Sequence, residues 1–197
     1  MKIVIATSNK GKAKEIKEIL KDLKLEVLTL NDFPDIPTPI EDGKNFKENA
    51  LKKARFVARL LNMAALADDS GIEVEALGKR PGIFSALYAG ENATDEENNR
   101  KLLKELNDLP LEKRHASYRC VIALVSHAGK EETFEGNCDG LIALEPKGAG
   151  GFGYDPLFYV PEYGKTMAEL SPDIKNRISH RGKALAKLRK KLIEIAQ

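Results

Sequence analysis

The chain has 197 residues, of which 42% are hydrophobic and 31% charged, with a formal net charge of +2. This composition is typical of a globular protein and excludes a disordered chain, while so small a charge does not by itself indicate a nucleic-acid-binding protein. No apolar run approaches the ~18 residues of a membrane span, and the start reads as a strand rather than a signal peptide. We therefore expect a cytoplasmic protein with reduced Cys120 and Cys138.

The N-terminal segment predicts a buried strand over 2–6, followed by a polar loop and an amphipathic helix. The loop reads Thr7-Ser8-Asn9-Lys10-Gly11-Lys12. Free N–H groups and the helix dipole favour an anion there, although Lys12 is not followed by the Ser or Thr of a Walker A motif. Two interpretations stay open: a phosphate-binding loop, or a plain helix N-cap by Ser8 or Asn9.

A second strand is predicted over 25–30 and a helix over 44–61, joined by a loop that ends in Glu41-Asp42-Gly43. One turn of this helix carries the polar residues Glu48, Asn49, Lys52 and Lys53. Such a group is typical of a solvated face.

Residues 63–76 predict two strand-like runs, and Asp68 and Asp69 stand where the first run ends. We expect these acids at a strand tip beside a cleft. Adjacent carboxylates repel unless a cation or a proton lies between them, and Mg²⁺ prefers carboxylate ligands. The alternative is a surface strand end with a helix cap.

The second half of the chain predicts a helix over 94–106 capped by Thr94, and then two long antiparallel strands over 116–125 and 131–145. The following segment, 148–156, contains G-x-G-x-x-G, but extended chain over 155–161 follows it instead of the helix that a dinucleotide-binding motif requires. Phe152 or Tyr154 is available to stack on a base; a turn with core aromatics is the alternative.

The C-terminal segment from Ser171 predicts one or two helices and is basic between 174 and 193. Lys175 and the string Ser179-His180-Arg181-Gly182 precede its regular helical pattern. His180 and Arg181 can both donate hydrogen bonds to a carbonyl oxygen, so these residues either line a site or are surface charges.

Several motifs occur in one order along residues 3 to about 190. They are Thr7 to Lys12, Glu41-x-Gly43, Phe46-x-Glu48-Asn49-Ala50, Ala67-Asp68-Asp69-Ser70-Gly71, Pro81-Gly82, Gly150-Gly151-Phe152-Gly153-Tyr154-Asp155-Pro156 and Ser179-His180-Arg181-Gly182. Together they closely resemble the inosine/xanthosine triphosphate pyrophosphatase family, which removes deaminated purine nucleotides.

The resemblance implies one two-lobed α/β domain over residues 1–197, with a long twisted mixed sheet flanked by helices and a central nucleotide cleft. It also implies a homodimer and a Mg²⁺-dependent cleavage of ITP, dITP or XTP between the α and β phosphates. Carried over by residue, Glu41 and Asp69 serve the metal, Asp69 accepts the proton and Lys53 faces the phosphates. The substrate-binding residues are then Thr7, Ser8, Asn9, Lys10, Gly11, Lys12, Ser70, Phe152, Gly153, Tyr154, Asp155, Lys175, His180 and Arg181.

One departure concerns the turn after Pro81-Gly82, where the family usually has Ser-Ala-Arg and this chain has Leu87 after Ser85-Ala86. A substrate or dimer contact is in doubt there. There are two competing hypotheses. The first is a phosphatase with Asp69 as nucleophile, but haloacid-dehalogenase-like enzymes carry an Asp-x-Asp after their first strand, whereas the acids here are adjacent and follow a later strand. The second is a nucleic-acid-binding protein that uses the basic segment 174–193.

Overall fold

The N-terminal apolar run forms an inner strand of a sheet in the computed structural model, which describes residues 2–37 and 39–196. The domain predicted over 1–197 thus includes Met1, Thr38 and Gln197, which lie outside the described residues. The helices are α1 Lys10–Leu20, α2 Phe46–Leu61, α3 Asp95–Glu105, α4 Pro172–Ile178 and α5 His180–Ala196. The strands are β1 Lys2–Ile5, β2 Glu26–Thr29, β3 Ala64–Val74, β4 Arg80–Pro81, β5 His115–Val125, β6 Glu131–Ile142, β7 Phe158–Val160 and β8 Lys165–Thr166.

Within the described residues, eight strands form one sheet in the order β2-β1-β3-β5-β6-β7-β8, and β4 pairs with β3 beside this row. β1 runs parallel to β2 and to β3, whereas β7 runs antiparallel to β6 and to β8. Only a short connection joins the neighbouring strands β5 and β6, so they form a hairpin. The predicted α/β class with a mixed sheet is confirmed.

The predicted pair of strands over 63–76 is wrong, because β3 is one uninterrupted strand of 11 residues. Asp68 and Asp69 therefore lie in its middle and not at its tip. The extended chain predicted from residue 155 begins later, at Phe158, because a turn precedes it: the N–H groups of Leu157 and Phe158 both donate to the Tyr154 carbonyl, each at 2.9 Å.

The chain divides into two compact units, which are described separately. Unit 1 contains Met1–Asp69, Cys120–Gly136 and Arg181–Gln197. In this unit, the buried side chains of β1 and β3 alternate between two apolar clusters, as successive residues of a strand must. Leu66 packs in the cluster that includes residues of α1 and α5, and Ala67 packs in the cluster that includes residues of α2.

Unit 2 contains Ser70–Arg119 and Asn137–His180 and has its own apolar cluster. This cluster joins Leu102 of α3 to Tyr118 of β5 and Phe158 of β7, and all three are buried. The predicted cap of α3 is confirmed, since the Thr94 hydroxyl accepts a hydrogen bond from the Glu97 N–H at 3.2 Å. Among the described residues, no helix has both the length and the apolar character needed to cross a bilayer.

Candidate active site

Asp68 and Asp69 are neighbours in β3 with separate surroundings in unit 1. Because side chains alternate along a strand, Asp68 points to the same side as Leu66 and Asp69 to the same side as Ala67. Their partners differ accordingly: Lys12, Cys120 and Arg181 contact Asp68, whereas Lys53 contacts Asp69. The two carboxylates therefore do not share a partner, because their side chains are paired with different cations.

The Asp68 carboxylate is fully buried and neutralised by two cations. Lys12 Nζ lies 2.5 Å from its Oδ1, and Arg181 Nε lies 3.0 Å from its Oδ2. Burial alone raises the pKa of Asp68, but these two cations outweigh it and hold that pKa well below its usual range. The Cys120 thiol donates to Oδ2 at 3.0 Å. The pKa of this thiol is raised, mainly by burial and secondly by the negative charge of Asp68.

Arg181 is the second residue of α5, directly after His180, and is itself buried in unit 1. Besides Asp68, its guanidinium donates from Nη1 to Glu15 Oε2 at 2.7 Å. Arg181 is thus hydrogen-bonded to two carboxylates. Cys120 and Cys138 are both buried, and their reduced state stays a prediction.

The second cluster of unit 1 joins Asp69 and Glu41 through Lys53. Lys53 Nζ lies 2.9 Å from Asp69 Oδ1 and 3.0 Å from Glu41 Oε1. Burial raises the pKa of Asp69 more than the neighbouring lysines lower it. The pKa of Lys53 is raised although burial opposes this, because two carboxylates flank its ammonium. Sequence reasoning expected Glu41 and Asp69 close together, and the structure brings them to one lysine.

The other oxygen of Asp69, Oδ2, is buried and has no hydrogen-bond partner among the described residues. A buried carboxylate oxygen without a donor is costly in a purely structural role. With one ammonium facing two carboxylates, the cluster also carries one excess negative charge when all three groups are ionised. Both observations fit a site that receives a further cation or a proton.

A Mg²⁺ ion fits this donor set. Across residues 2–37 and 39–196, no group of three or more His, Cys, Asp or Glu side chains forms a protein-only metal cage. Mg²⁺ commonly takes one or two carboxylates and completes its shell with waters and substrate phosphates, so Glu41 and Asp69 suffice as the protein's share.

Asn49 fixes the turn that follows Glu41, a role that the sequence patterns did not indicate. Its Oδ1 accepts a hydrogen bond from the Gly43 N–H at 2.7 Å, two residues after Glu41. A Cβ at Gly43 would lie 2.5 Å from the same oxygen, so only glycine fits this turn. The solvated face predicted on α2 is wrong for Asn49 and Lys53, which are buried, and correct for the exposed Glu48 and Lys52. Asn49 and Lys53 are four residues apart and stand next to buried alanines, and this spacing could have indicated that both lie on the buried side of the helix.

The loop before α1 is built around an Asn9 cap. Asn9 Oδ1 accepts from the Lys12 N–H at 3.0 Å, and the Asn9 N–H donates to Thr7 Oγ1 at 3.2 Å. α1 begins at Lys10, so part of the predicted loop is the first helical turn. Ser8, Asn9 and Lys10 are exposed, whereas Lys12 is the residue that reaches Asp68. The cap prediction is confirmed for Asn9, and phosphate binding by this loop stays a prediction.

In unit 2, Asp155 organises the glycine-rich loop. Its Oδ2 accepts from the Phe152 N–H at 2.9 Å and from Lys175 Nζ at 2.5 Å, while the Tyr118 hydroxyl donates to Oδ1 at 3.4 Å. A Cβ at Gly151 would lie 2.0 Å from Asp155 Oδ2, and Gly151 has a φ of +76°. Glycine is therefore required at this position for both space and backbone conformation.

The aromatic side chains of unit 2 have distinct places. Phe152 is half-buried, and Lys175 Nζ lies 4.8 Å from its ring centroid. Tyr154 is a core residue whose hydroxyl donates to the Ser85 carbonyl at 2.8 Å, so the interpretation as a core aromatic is correct for Tyr154. His180 stacks on Tyr118 with ring centroids 4.4 Å apart and planes 9° from parallel.

The predicted site residues thus fall into three groups. Lys12, Asp68 and Arg181 form one cluster of unit 1, and Glu41, Lys53 and Asp69 form the other. Residues 152–155, Lys175, His180 and Tyr118 form the group of unit 2. Ser70 follows Asp69 in β3 and is half-buried, and Leu87 is half exposed.

Comparison with known proteins relates this arrangement to enzymes. The model of the Ham1 family matches residues 3–191. A dITP/XTP pyrophosphatase of Geobacter sulfurreducens is 56% identical over 188 residues, which cover 95% of this chain and 94% of that protein. A dITP/XTP pyrophosphatase of Geobacillus kaustophilus is 51% identical and covers 98% of this chain and 95% of its own. The solved structure of a HAM1 protein from Coxiella burnetii has 45% identity and a TM-score of 0.89, covering 98% of this chain and 99% of that one.

Proposed function

Because the chain belongs to the Ham1 family, we infer that it is a nucleoside-triphosphate pyrophosphatase, a hydrolase of deaminated purine nucleotides. Its reaction converts dITP, ITP or XTP into the nucleoside monophosphate and pyrophosphate, which clears these bases from the nucleotide pool. The observation that carries the catalytic assignment is the buried Oδ2 of Asp69 beside Lys53 and Glu41, for which the described residues provide no hydrogen-bond partner.

We propose that Asp69 is the general base. Its Oδ2 has no donor among the described residues, so it can accept a proton from a water molecule. Burial raises the pKa of Asp69 toward the range in which a carboxylate accepts a proton more readily. The water then attacks the α-phosphorus in line, and the bond to the β-phosphate oxygen breaks. Ser70, next in the strand, is assigned to substrate contact.

Glu41 and Asp69 would hold a Mg²⁺ ion. When bound, this ion neutralises phosphate charge and lowers the pKa of a coordinated water. Lys53 supports the same reaction from the protein side, since its raised pKa keeps it protonated and its ammonium is already held by both carboxylates. We assign it to the negative charge that develops on the phosphates.

The α1 cap is assigned to the phosphates of the substrate. Exposed Ser8, Asn9 and Lys10 lie at the positive end of the α1 dipole, together with Thr7, Gly11 and Lys12. Asp68 and Glu15 neutralise part of the local charge by pairing with Lys12 and Arg181. The site thus presents backbone N–H donors and lysines without an isolated buried cation.

The purine base is assigned to residues 152–155, Lys175, His180 and Arg181. Phe152 supplies a half-buried ring for stacking, and His180 supplies a hydrogen-bond donor for the 6-oxo group. ATP presents a 6-amino donor instead, which leaves such a donor unpaired. Arg181 contacts a base only if it shares or exchanges its bonds to Asp68 and Glu15, so its role is tested separately from that of His180.

We further propose a cytoplasmic homodimer, as the family resemblance implies. Two buried cysteine thiols suit a reducing compartment. Light scattering coupled to size exclusion tests the assembly, and a mass of one chain, 21.8 kDa, would contradict it.

The decisive experiment is a panel of dITP, ITP, XTP, GTP and ATP with Mg²⁺, in which pyrophosphate and orthophosphate are measured separately. We expect pyrophosphate from the deaminated nucleotides and much slower turnover of ATP. Orthophosphate as the first product would instead support a phosphatase. Adding a chelator should abolish turnover, and Glu41→Gln should raise the Mg²⁺ concentration that half-maximal activity requires.

A further inference from the structure

Two residues of α3 that no motif indicated hold both backbone polar groups of one residue, Gly153, in the loop 152–155 assigned to the base. The Gly153 N–H donates to Asp95 Oδ2 at 2.6 Å, and Asn99 Nδ2 donates to the Gly153 carbonyl at 3.0 Å. Asp95 and Asn99 are one helical turn apart and lie on the same face of α3. All three residues belong to unit 2. We call this pair the Gly153 clamp.

The helix that carries the clamp is itself firmly fixed. Its first turn is closed by the capping box of Thr94 and Glu97. Asn98 ties it to the preceding segment, since its Oδ1 accepts from the Ala89 N–H at 2.8 Å and its Nδ2 donates to the Ala86 carbonyl at 3.1 Å. Leu102 anchors its other end in the apolar cluster. The clamp residues therefore lie on a fixed helix and hold Gly153 in a defined position.

Gly153 directly follows Phe152, the residue assigned to base stacking. On the other side of Phe152, its own N–H is held by Asp155. Gly153 has a φ of +62°, a left-handed conformation that glycine adopts about as readily as others, so hydrogen bonds from outside the loop can select it. With the Phe152 N–H, the Gly153 N–H and the Gly153 carbonyl all bonded, the backbone around Phe152 is fixed, and with it the direction in which its side chain leaves the chain.

The stability of the fold does not explain why residue 99 is an asparagine. Its Oδ1 is buried without a hydrogen-bond partner in the described part of the chain. An unsatisfied buried amide oxygen is unfavourable for folding, and an apolar residue of similar size would avoid it. The known hydrogen bond of this amide is the one to Gly153. A residue that breaks a folding rule in this way is expected to serve function.

We propose that Asp95 and Asn99 are positioning residues for base recognition: they hold the N–H and the carbonyl of Gly153 so that Phe152 is preorganised to stack on the purine. This inference rests on the proposed function, specifically on base binding by residues 152–155. Preorganisation lowers the ordering cost of binding, so the clamp acts on the affinity for the base and not on the chemistry at phosphorus.

The test compares Asp95→Ala and Asn99→Leu with the control Glu96→Ala, which removes a neighbouring first-turn carboxylate that bonds Arg100 and not the loop. Both clamp variants should raise the KM for dITP about 5- to 10-fold, the scale of one lost hydrogen bond, with kcat within about twofold. The KM for tripolyphosphate, which has no base, should not change. Asp95→Asn retains an acceptor oxygen and should restore most of the affinity.

Two readouts separate positioning from a merely structural role. Asn99→Leu should leave the melting temperature unchanged or raised while the KM for dITP rises. Hydrogen exchange in a peptide that spans 148–156 should accelerate in both clamp variants and not in Glu96→Ala. Because exchange is measured without substrate, it reports on the clamp even in a variant with low activity.

The failure of the clamp and the failure of the base site give different results. If Phe152→Ala raises the KM for dITP but the two clamp variants do not, the clamp proposal is overturned and the base site stands. If Phe152→Ala leaves that KM unchanged, the base assignment and the clamp proposal both fall. Parallel losses for dITP and tripolyphosphate in the clamp variants would show general damage and also refute the proposal.

Discussion

Lys53 Nζ lies 2.9 Å from Asp69 Oδ1, and the other oxygen of that carboxylate has no hydrogen-bond partner within the described residues. One half of Asp69 is thus fixed by an ion pair and the other half is available to a ligand. This division suits a general base, because the ion pair sets the orientation while the second oxygen receives the proton. Asp68, its neighbour, is instead paired by Lys12 and Arg181.

Asp69→Asn should reduce kcat for dITP by about 10²- to 10⁴-fold, the range of a lost general base. Nucleotide affinity should be retained or increased, because the change removes negative charge near the phosphates. Pyrophosphate release and calorimetric titration measure the two effects. Asp139→Asn, the same change at an exposed position of β6, is the control and should remain fully active. Near-normal turnover of Asp69→Asn would show that another group activates the water.

Asp68→Asn should destabilise the fold by about 3–5 kcal/mol, because it leaves Lys12 and Arg181 buried with one carboxylate fewer. Urea unfolding measures this loss. Glu131→Gln, which breaks the surface pair with Arg55, should have a much smaller effect. A small change for Asp68→Asn would mean that water or Glu15 compensates the lost charge.

The pH dependence of the same carboxylate has a definite sign. The pKa of Asp68 is lower in the folded chain than its ordinary value of 3.8, so the folded state binds fewer protons on this group. Its stabilising contribution is therefore present above pH 3.8 and is lost as the pH falls toward the folded-state pKa. The acid-unfolding curve should be less steep in Asp68→Asn than in the wild type.

Gly43→Ala should lower activity at subsaturating Mg²⁺ while the protein remains folded. The new Cβ would lie 2.5 Å from Asn49 Oδ1, so the turn must move and carry Glu41 with it. The expected result is a rise in the Mg²⁺ concentration for half-maximal activity, measured by titration with the metal. Lys44→Ala, an exposed neighbour, should behave as the wild type. An unchanged metal requirement in Gly43→Ala would separate Glu41 from the metal.

His180→Ala should raise the KM for ITP about 5- to 150-fold, which corresponds to about 1–3 kcal/mol for an unsatisfied partner, without changing tripolyphosphate cleavage. His115→Ala provides an exposed histidine of unit 2 as control. Arg181→Ala should differ from His180→Ala by also lowering the melting temperature, since it removes a partner of Asp68. Equal losses for ITP and tripolyphosphate in His180→Ala would mean that His180 does not contact the base.

The sequence predicted the main helices, the mixed sheet and the pairing of Glu41 with Asp69 well, because these depend on periodicity and on motif order. It failed at β3, where two acids in an apolar run suggested a strand end. An interior strand can accept Asp68 only because Lys12, Cys120 and Arg181, distant in sequence, meet it there. Local patterns do not contain such tertiary neutralisation.

The same limit explains why Asn49, Asp95 and Asn99 were missed. Their roles come from hydrogen bonds to backbone groups of other segments, Gly43 and Gly153, and those contacts depend on the loop conformations. For Asn49 the helical spacing with Lys53 offered a clue. For Asn99 the chain offered none, because a polar residue in the first turns of a helix is ordinarily solvated.

The ammonium between Glu41 and Asp69 has a practical consequence for handling the enzyme. Two carboxylates that would otherwise repel each other are kept together by a tethered cation that dialysis cannot remove. Chelator treatment should then give a dormant protein with its architecture intact, and activity should return as soon as the ion is supplied again, with no refolding interval.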